Sequence, residues 1–281
     1  MRKLTIAVAA VLFSTSISFA QQNQSNLLQD GSDNIADVEQ VGANNSSLLN
    51  QNDDSNTTAV NQTGSANSSE VQMTGGATSV TVTQIGNRNT GVSLISEANN
   101  VASIAQEGND NSARQELDAA DSEATIFVEG NRNLTVQMQS GLGNNVTQIG
   151  ISGNNNIATQ EISGENSRSY ITTIGNASVA VTQQNGESNN VGILQEMGDN
   201  NAAFVAQNGN NNFAGGENDP QLTQSGSGNT LILSQAGDDN ASSIMQVGND
   251  NEALNAQSGN GNGSIITQLG NSNAASVIQR Q

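Results

Sequence analysis

The chain has no cysteine, no histidine and no tryptophan, one tyrosine (Tyr170) and one proline (Pro220). Each absence removes a class of explanation. Without cysteine there is no disulfide framework and no thiolate metal site. Without histidine the usual general base is gone, so acid–base work would fall to carboxylates. Serines are abundant, but they sit at ordinary strand and turn positions and no carboxylate pair converges with them. No enzyme and no cofactor are expected. Aromatics at 2% give nucleic-acid bases little to stack on. Positive charge is scarce as well, with 7 Lys and Arg against 26 Asp and Glu. Such a polyanion cannot gain affinity by displacing counterions from phosphates, which argues against nucleic acid as a partner. Apolar residues make up 33%, below the roughly 45–50% of an ordinary globular domain.

The one long apolar run stands at the start. Met1-Arg2-Lys3 precedes Leu4 to Phe13, and Ser18-Phe19-Ala20 leads into the polar Gln21. This pattern predicts a secretory signal peptide over residues 1–20, cut after Ala20, and one domain over 21–281. The run is too short for stable membrane insertion. Loss of Arg2 and Lys3 leaves 5 Arg against 26 acidic residues, a net charge of −21, which favours solubility of an exported chain.

What is present is a repeat. Gln224, Gln235, Gln246, Gln257, Gln268 and Gln279 fall eleven residues apart. Two places after each of the first five stands Gly226, Gly237, Gly248, Gly259 or Gly270, and five places after stands Asn229, Asn240, Asn251, Asn262 or Asn273. Gln29, Gln40, Gln51, Gln62, Gln84, Gln106 and Gln139 keep the same grid. From Asn to the next Gln every second residue shares one face of a strand: Asn229, Leu231, Leu233, Gln235, or Asn273, Ala275, Val277, Gln279. The Gly-x-x between them supplies the reversal. Two units then make strand–turn–strand–turn, and the expected fold is an all-β solenoid with about 22 residues per rung.

Positions 22 apart should therefore stack. Gly42, Gly64, Gly86, Gly108 and Gly130 form one such column, and Asn45, Asn67, Asn89, Asn111 and Asn133 another. On the opposite edge Met73, Ile95 and Leu117 take the place of Gln in three successive rungs. A disordered tract has no reason to change by column. Arg88, Asp110 and Arg132 share one turn position, which should set Asp110 between two guanidinium groups. Over 148–223 the grid loosens: Gln148 comes nine residues after Gln139, the turns after Gln183 and Gln195 each carry an extra residue, and an insertion surrounds Gly215–Pro220.

Inward Asn and Gln must be paired once buried, and stacked amides can bond rung to rung as in cross-β ladders. Neither end carries a predicted capping helix, so the last rung, with Ile266, Gln268, Asn273, Ala275, Val277 and Gln279 facing inward, is expected to be a growth face. Acidic residues gather at turns. An acidic calcium-binding β-roll is the alternative, but its repeat is nine residues with Asp at the turn, whereas here the step is eleven and the turn residue is Asn. A monomeric solenoid adhesin also remains open.

The unit Gln207-Asn208-Gly209-Asn210-Asn211-Asn212-Phe213-Ala214 resembles the curlin repeat of bacterial curli fibre subunits, and the likeness covers nearly all of 23–281. It implies a subunit exported through the periplasm and an outer-membrane secretion channel, which polymerises with itself and a second curlin subunit into cell-surface amyloid for adhesion and biofilm matrix. Both the major and the nucleator type fit. The chain departs from the family in starting its repeat almost at Gln21 and in having about eleven or twelve rungs rather than five.

Overall fold

A computed structural model describes residues 22–196, 198–215 and 222–281. The expected signal peptide, Met197 and the insertion up to Pro220 lie outside the described residues. The fold is all-β. The strands run from Gln24–Asp30 to Ala274–Arg280, and every described pairing between them is parallel. No helix of the described residues is long and apolar enough to cross a membrane.

Successive strands alternate between two sheets, because each eleven-residue unit ends in a reversal that sends the chain to the opposite side. One sheet holds twelve strands. The other holds eleven levels, since Phe213–Ala214 and Leu222–Ser225 are the two pieces of one interrupted strand, both lying between Asn190–Glu196 and Ala241–Val247. Partners in the regular rungs are 22 residues apart: Gln40 on Gln62, Gln62 on Gln84, Gln235 on Gln257. The coiled chain is a β-solenoid.

Side chains that alternate inward from both sheets make a thin core. Val60, Val71, Val82, Ile104, Ile126 and Ile193 are fully buried in it, among equally buried Asn, Gln, Ser and Thr. No buried side chain among the described residues is charged. Burying apolar area at roughly 25 cal/mol per Å² still drives the fold, but the width of one rung limits how much each adds.

The turns explain the glycine column. Gly64 has φ 121°, and a Cβ there would stand 1.8 Å from the carbonyl oxygen of Gly86 in the next rung. The clash repeats from Gly42 onto Gly64 and from Gly86 onto Gly108. Two residues later the chain is left-handed again, at Ala66, Arg88, Asp110 and Arg132. On the edge where Met73, Ile95 and Leu117 replace Gln, the glycine slot holds Gly75, Glu97 and Ala119, which are not at positive φ. The turn glycine does not depend on the amide, however: Val128, Ile151, Ile162 and Thr173 occupy the glutamine slot and are still followed by Gly130, Gly153, Gly164 and Gly175 at positive φ.

The structure keeps the extra residue expected after Gln195 and the interruption near 215–220, and corrects the irregularities expected at Gln148 and Gln183. Val146–Ser152 through Asn190–Glu196 stack with the regular stagger of 22. The stagger becomes 23 across the turn after Gln139 and across 197–200, and 28 where the 215–221 segment intervenes. Gln148 is exposed and faces outward, with Ile151 in the slot expected for Gln. Before the turn at Gly186, Gln184 is the inward residue and Gln183 the outer one, so no residue is extra there.

This geometry sets a test. Gly64→Ala should lower stability by about 2 kcal/mol or more, from the left-handed backbone alone before the inter-rung clash is added. Gly150→Ala, at a strand glycine with nothing within 4 Å of its Cβ position, should be neutral or stabilising by about 0.5–1 kcal/mol. Urea unfolding of the two variants measures the contrast.

Candidate functional site: the amide ladders and the end faces

The glutamines bond in two directions. Gln40, Gln62 and Gln84 each donate from Nε2 to the Oε1 of the next glutamine, at 2.8, 2.8 and 2.9 Å, the last reaching Gln106. The same nitrogens also cross the core to backbone carbonyls of the opposite sheet: Gln62 to Ser46 and Gln84 to Ser68, both at 3.0 Å. Gln224, Gln246 and Gln268 repeat the ladder in one sheet, and Gln235, Gln257 and Gln279 in the other. A glutamine thus joins rung to rung and sheet to sheet with one amide.

The asparagines do something different from the simple ladder expected. Asn67 accepts the backbone N–H of Asn89 on Oδ1 at 3.0 Å and donates from Nδ2 to the carbonyl of Gly86 at 2.9 Å. Each therefore clamps the turn of the following rung. Asn45, Asn89, Asn111, Asn229, Asn240 and Asn251 do the same. From Asn111, Asn133, Asn251, Asn262 and Asn273 the Nδ2 also bonds back to the preceding Asn Oδ1.

The ladders have a direction, visible where they begin inside the chain. Gln184, which starts a ladder to Gln207, follows Ile162 in its column, and the lone Gln139 stands between Leu117 and Ile162. In both, the buried Oε1 has no hydrogen-bond partner. Gln115 does likewise above Ser93. A glutamine ladder start presents a bare acceptor, because every glutamine-to-glutamine bond points toward the C-terminal end.

Gln115 belongs to a third ladder that the sequence reading missed. Gln115, Gln137 and Gln160 occupy the middle of the inward face, where apolar residues were expected, and bond at 3.0 Å per step. Their 22- and 23-residue spacing was available in the sequence, but a Gln two places from the repeat Gln carries no turn glycine to flag it.

The charge column stands on one edge as the register requires. Arg88 grips Asp110 with two bonds, Nε to Oδ1 at 2.6 Å and a terminal guanidinium nitrogen to Oδ2 at 2.7 Å. Arg132 shares the turn geometry but does not pair with Asp110, so the expected sandwich is replaced by a single pair. The Arg88 hydrogen bond, with weaker attraction from both arginines, holds the Asp110 carboxyl below the usual range. Ser32 does the same for Asp54 through its hydroxyl and its backbone N–H. Among the described residues no cluster of acidic side chains is arranged to hold a metal ion.

Among the described residues nothing is stacked on the two end faces. At one end Leu27 is 37% exposed and the whole Gln24–Asp30 strand is open. At the other, Asn273, Ala275, Val277 and Gln279 are half-buried, while Ile266 and Gln268 in the strand below are buried. Gln268 and Gln279 donate across the core to the backbone carbonyls of Glu252 and Gly263, and among the described residues no glutamine is stacked beyond either. The chain matches no protein-family model, and no curated protein matches it.

Two outcomes follow. Gln84→Met should leave the Gln62 N–H, the Ser68 carbonyl and the Gln106 Oε1 without this partner. At about 1–3 kcal/mol for each buried unmatched group, chemical denaturation should register a large loss. For Asp110, a depressed folded pKa means the ion pair contributes above the ordinary Asp value near about 3.9. That contribution is lost as pH falls through the folded value. NMR titration of the Asp110 carboxyl should give a midpoint below that of an ordinary Asp, and Arg88→Gln should restore it.

Proposed function

We propose that this chain is an exported structural subunit that stacks end to end into extracellular, curli-like amyloid fibres for adhesion and biofilm matrix. The observation that carries the reading is the pair of open end faces, each the continuation of the other. One offers unmet amide donors and a bare parallel strand edge, and the other offers unmet amide acceptors and a second bare edge. Water satisfies them singly, but another copy satisfies all of them at the strand spacing and covers Leu27 and Val277 as well. The repeat's likeness to curlin units and the acidic, lysine-poor exterior support the same reading. The N-terminal pattern supports export through the periplasm. On this reading the chain works with an outer-membrane secretion channel and a second curlin subunit.

Export of the purified chain into neutral buffer should yield filaments with a meridional spacing of about 4.7–4.8 Å, accelerated by preformed seeds. A chain that stays dispersed for days at high concentration, seeded or not, refutes the assignment and leaves a monomeric solenoid. Calcium-dependent gain of β-structure by circular dichroism would favour the β-roll instead. Val277→Asp separates end stacking from other assembly. In the monomer the carboxylate is half-exposed, so the β-rich spectrum should persist. Once covered by another rung it costs about 3–5 kcal/mol, so elongation should slow at least tenfold. Val71→Asp, at a fully buried position, should disrupt folding itself.

A further inference from the structure

The two halves of each rung are equivalent. Gln51 crosses to the carbonyl of Ile35 and Gln62 to that of Ser46, each 16 residues back. Left-handed turn residues recur eleven apart on both edges, as at Ala66, Ala77, Arg88, Asn99 and Asp110. A shift of eleven residues is therefore a half-turn about the solenoid axis with a rise of half a rung.

Among the described residues the number of half-rungs is odd. Twelve strands in one sheet and eleven levels in the other make 23. Both Gln24–Asp30 at one end and Ala274–Arg280 at the other lie in the twelve-strand sheet. A second copy stacked without rotation would put its Gln24–Asp30 on Ala274–Arg280. That leaves the level above Gly263–Leu269 empty, with strand edges bare on both sides of the gap.

From this we propose, resting on the end-to-end assembly above, that successive copies in the fibre are related by a half-turn about its axis. Gln24–Asp30 of the next copy then covers Gly263–Leu269, and its Ile35–Ala43 covers Ala274–Arg280. Every level is filled, and each inward residue meets its own kind. Ser264 faces Ser25 and Ile266 faces Leu27 of the next copy, while Ala275 faces Ala36 and Val277 faces Val38. Polar groups match in the same register. Gln268 and Gln279 donate to Gln29 and Gln40 of the next copy. Asn262 and Asn273 accept the backbone N–H groups of Asn23 and Asn34.

The turn agrees too. Gly270 meets Gly31, continuing a column in which a Cβ at Gly248 would stand 1.9 Å from the oxygen of Gly270. Ser272 and Asp33, with φ of 56° and 59°, stack as left-handed residues do elsewhere in the column. Head-to-head pairing is disfavoured, because it sets amide donors against donors. The repeat along the fibre is 11.5 rungs, about 55 Å at strand spacing.

Introduced cysteines test the rotation, since the chain has none of its own. Adjacent parallel strands hold facing Cα atoms within disulfide reach, about 4.4–6.8 Å. Asn26, Ile265 and Ser276 all face outward on exposed strands. The half-turn sets Asn26 of one copy beside Ile265, and the unrotated stack sets it beside Ser276. Filaments of the exported chain carrying Asn26→Cys with Ile265→Cys should oxidise to covalent multimers on a non-reducing gel. Filaments carrying Asn26→Cys with Ser276→Cys should stay monomeric. Cross-linking of the second pair, or of neither, in a chain that forms filaments overturns the rotation alone. Failure of the unmodified chain to form filaments overturns the fibre reading, and the rotation with it.

Discussion

The structure depends on the need of a buried side-chain amide for a partner on every side. A glutamine interior to this solenoid has two N–H groups and one oxygen to satisfy, with water excluded. Stacking the same residue at the strand spacing answers two of these needs, and a carbonyl across the core answers the third. Since the bonds that join rungs also join sheets, a core too thin for hydrophobic burial alone holds its two faces together. The interior can then be part amide and part apolar, provided that charge stays out of it, as it does.

That requirement propagates outward into the backbone. For the glutamine to repeat in register the reversal beside it must repeat as well, and the asparagine clamps tie each turn to the next. The clamps draw the turns so close that the glycine slot has room for no Cβ. On the stretch of edge where Met73, Ile95 and Leu117 replace the amide, the slot leaves positive φ and Glu97 and Ala119 enter it, although Gly75 is still closely covered by the backbone of Glu97. The glycine column outlasts the amide at Gly153, Gly164 and Gly175, so the close stacking of turns is a constraint of its own beside the ladder.

A ladder made of donors pointing one way also has two unlike ends. Inside the chain a ladder can start above Ser93 or Ile162 and leave a bare acceptor, at a cost of about 1–3 kcal/mol, because the rest of the rung is well packed. At the chain's open faces the same unlike ends meet water. The polarity that stabilises the monomer is what makes its two faces complementary, and the assembly we propose would extend the folding interaction.

Much of this was legible in the residues. The eleven-residue step, the alternation of inward positions and the fixed Gly and Asn offsets determined the solenoid, its 22-residue rung, its uncharged interior and the edge at which Met73 replaces Gln. Each of these follows from short-range parity or from identical residues stacking on identical residues. Counting forward along the grid failed at Gln148. Only the register from the turn at Gly153 places Ile151 inward, because strand pairing is fixed by the turn that closes it and not by the spacing of like residues. Tertiary structure alone decided that Asn clamps backbone where Gln bonds side chain to side chain, since both are amides and differ by one methylene of reach. It alone decided which arginine holds Asp110, a choice between two exposed side chains on one edge. The parity of the half-rungs was also settled there, because the interrupted strand at 213–225 counts as one level only when both of its pieces are seen between the same neighbours.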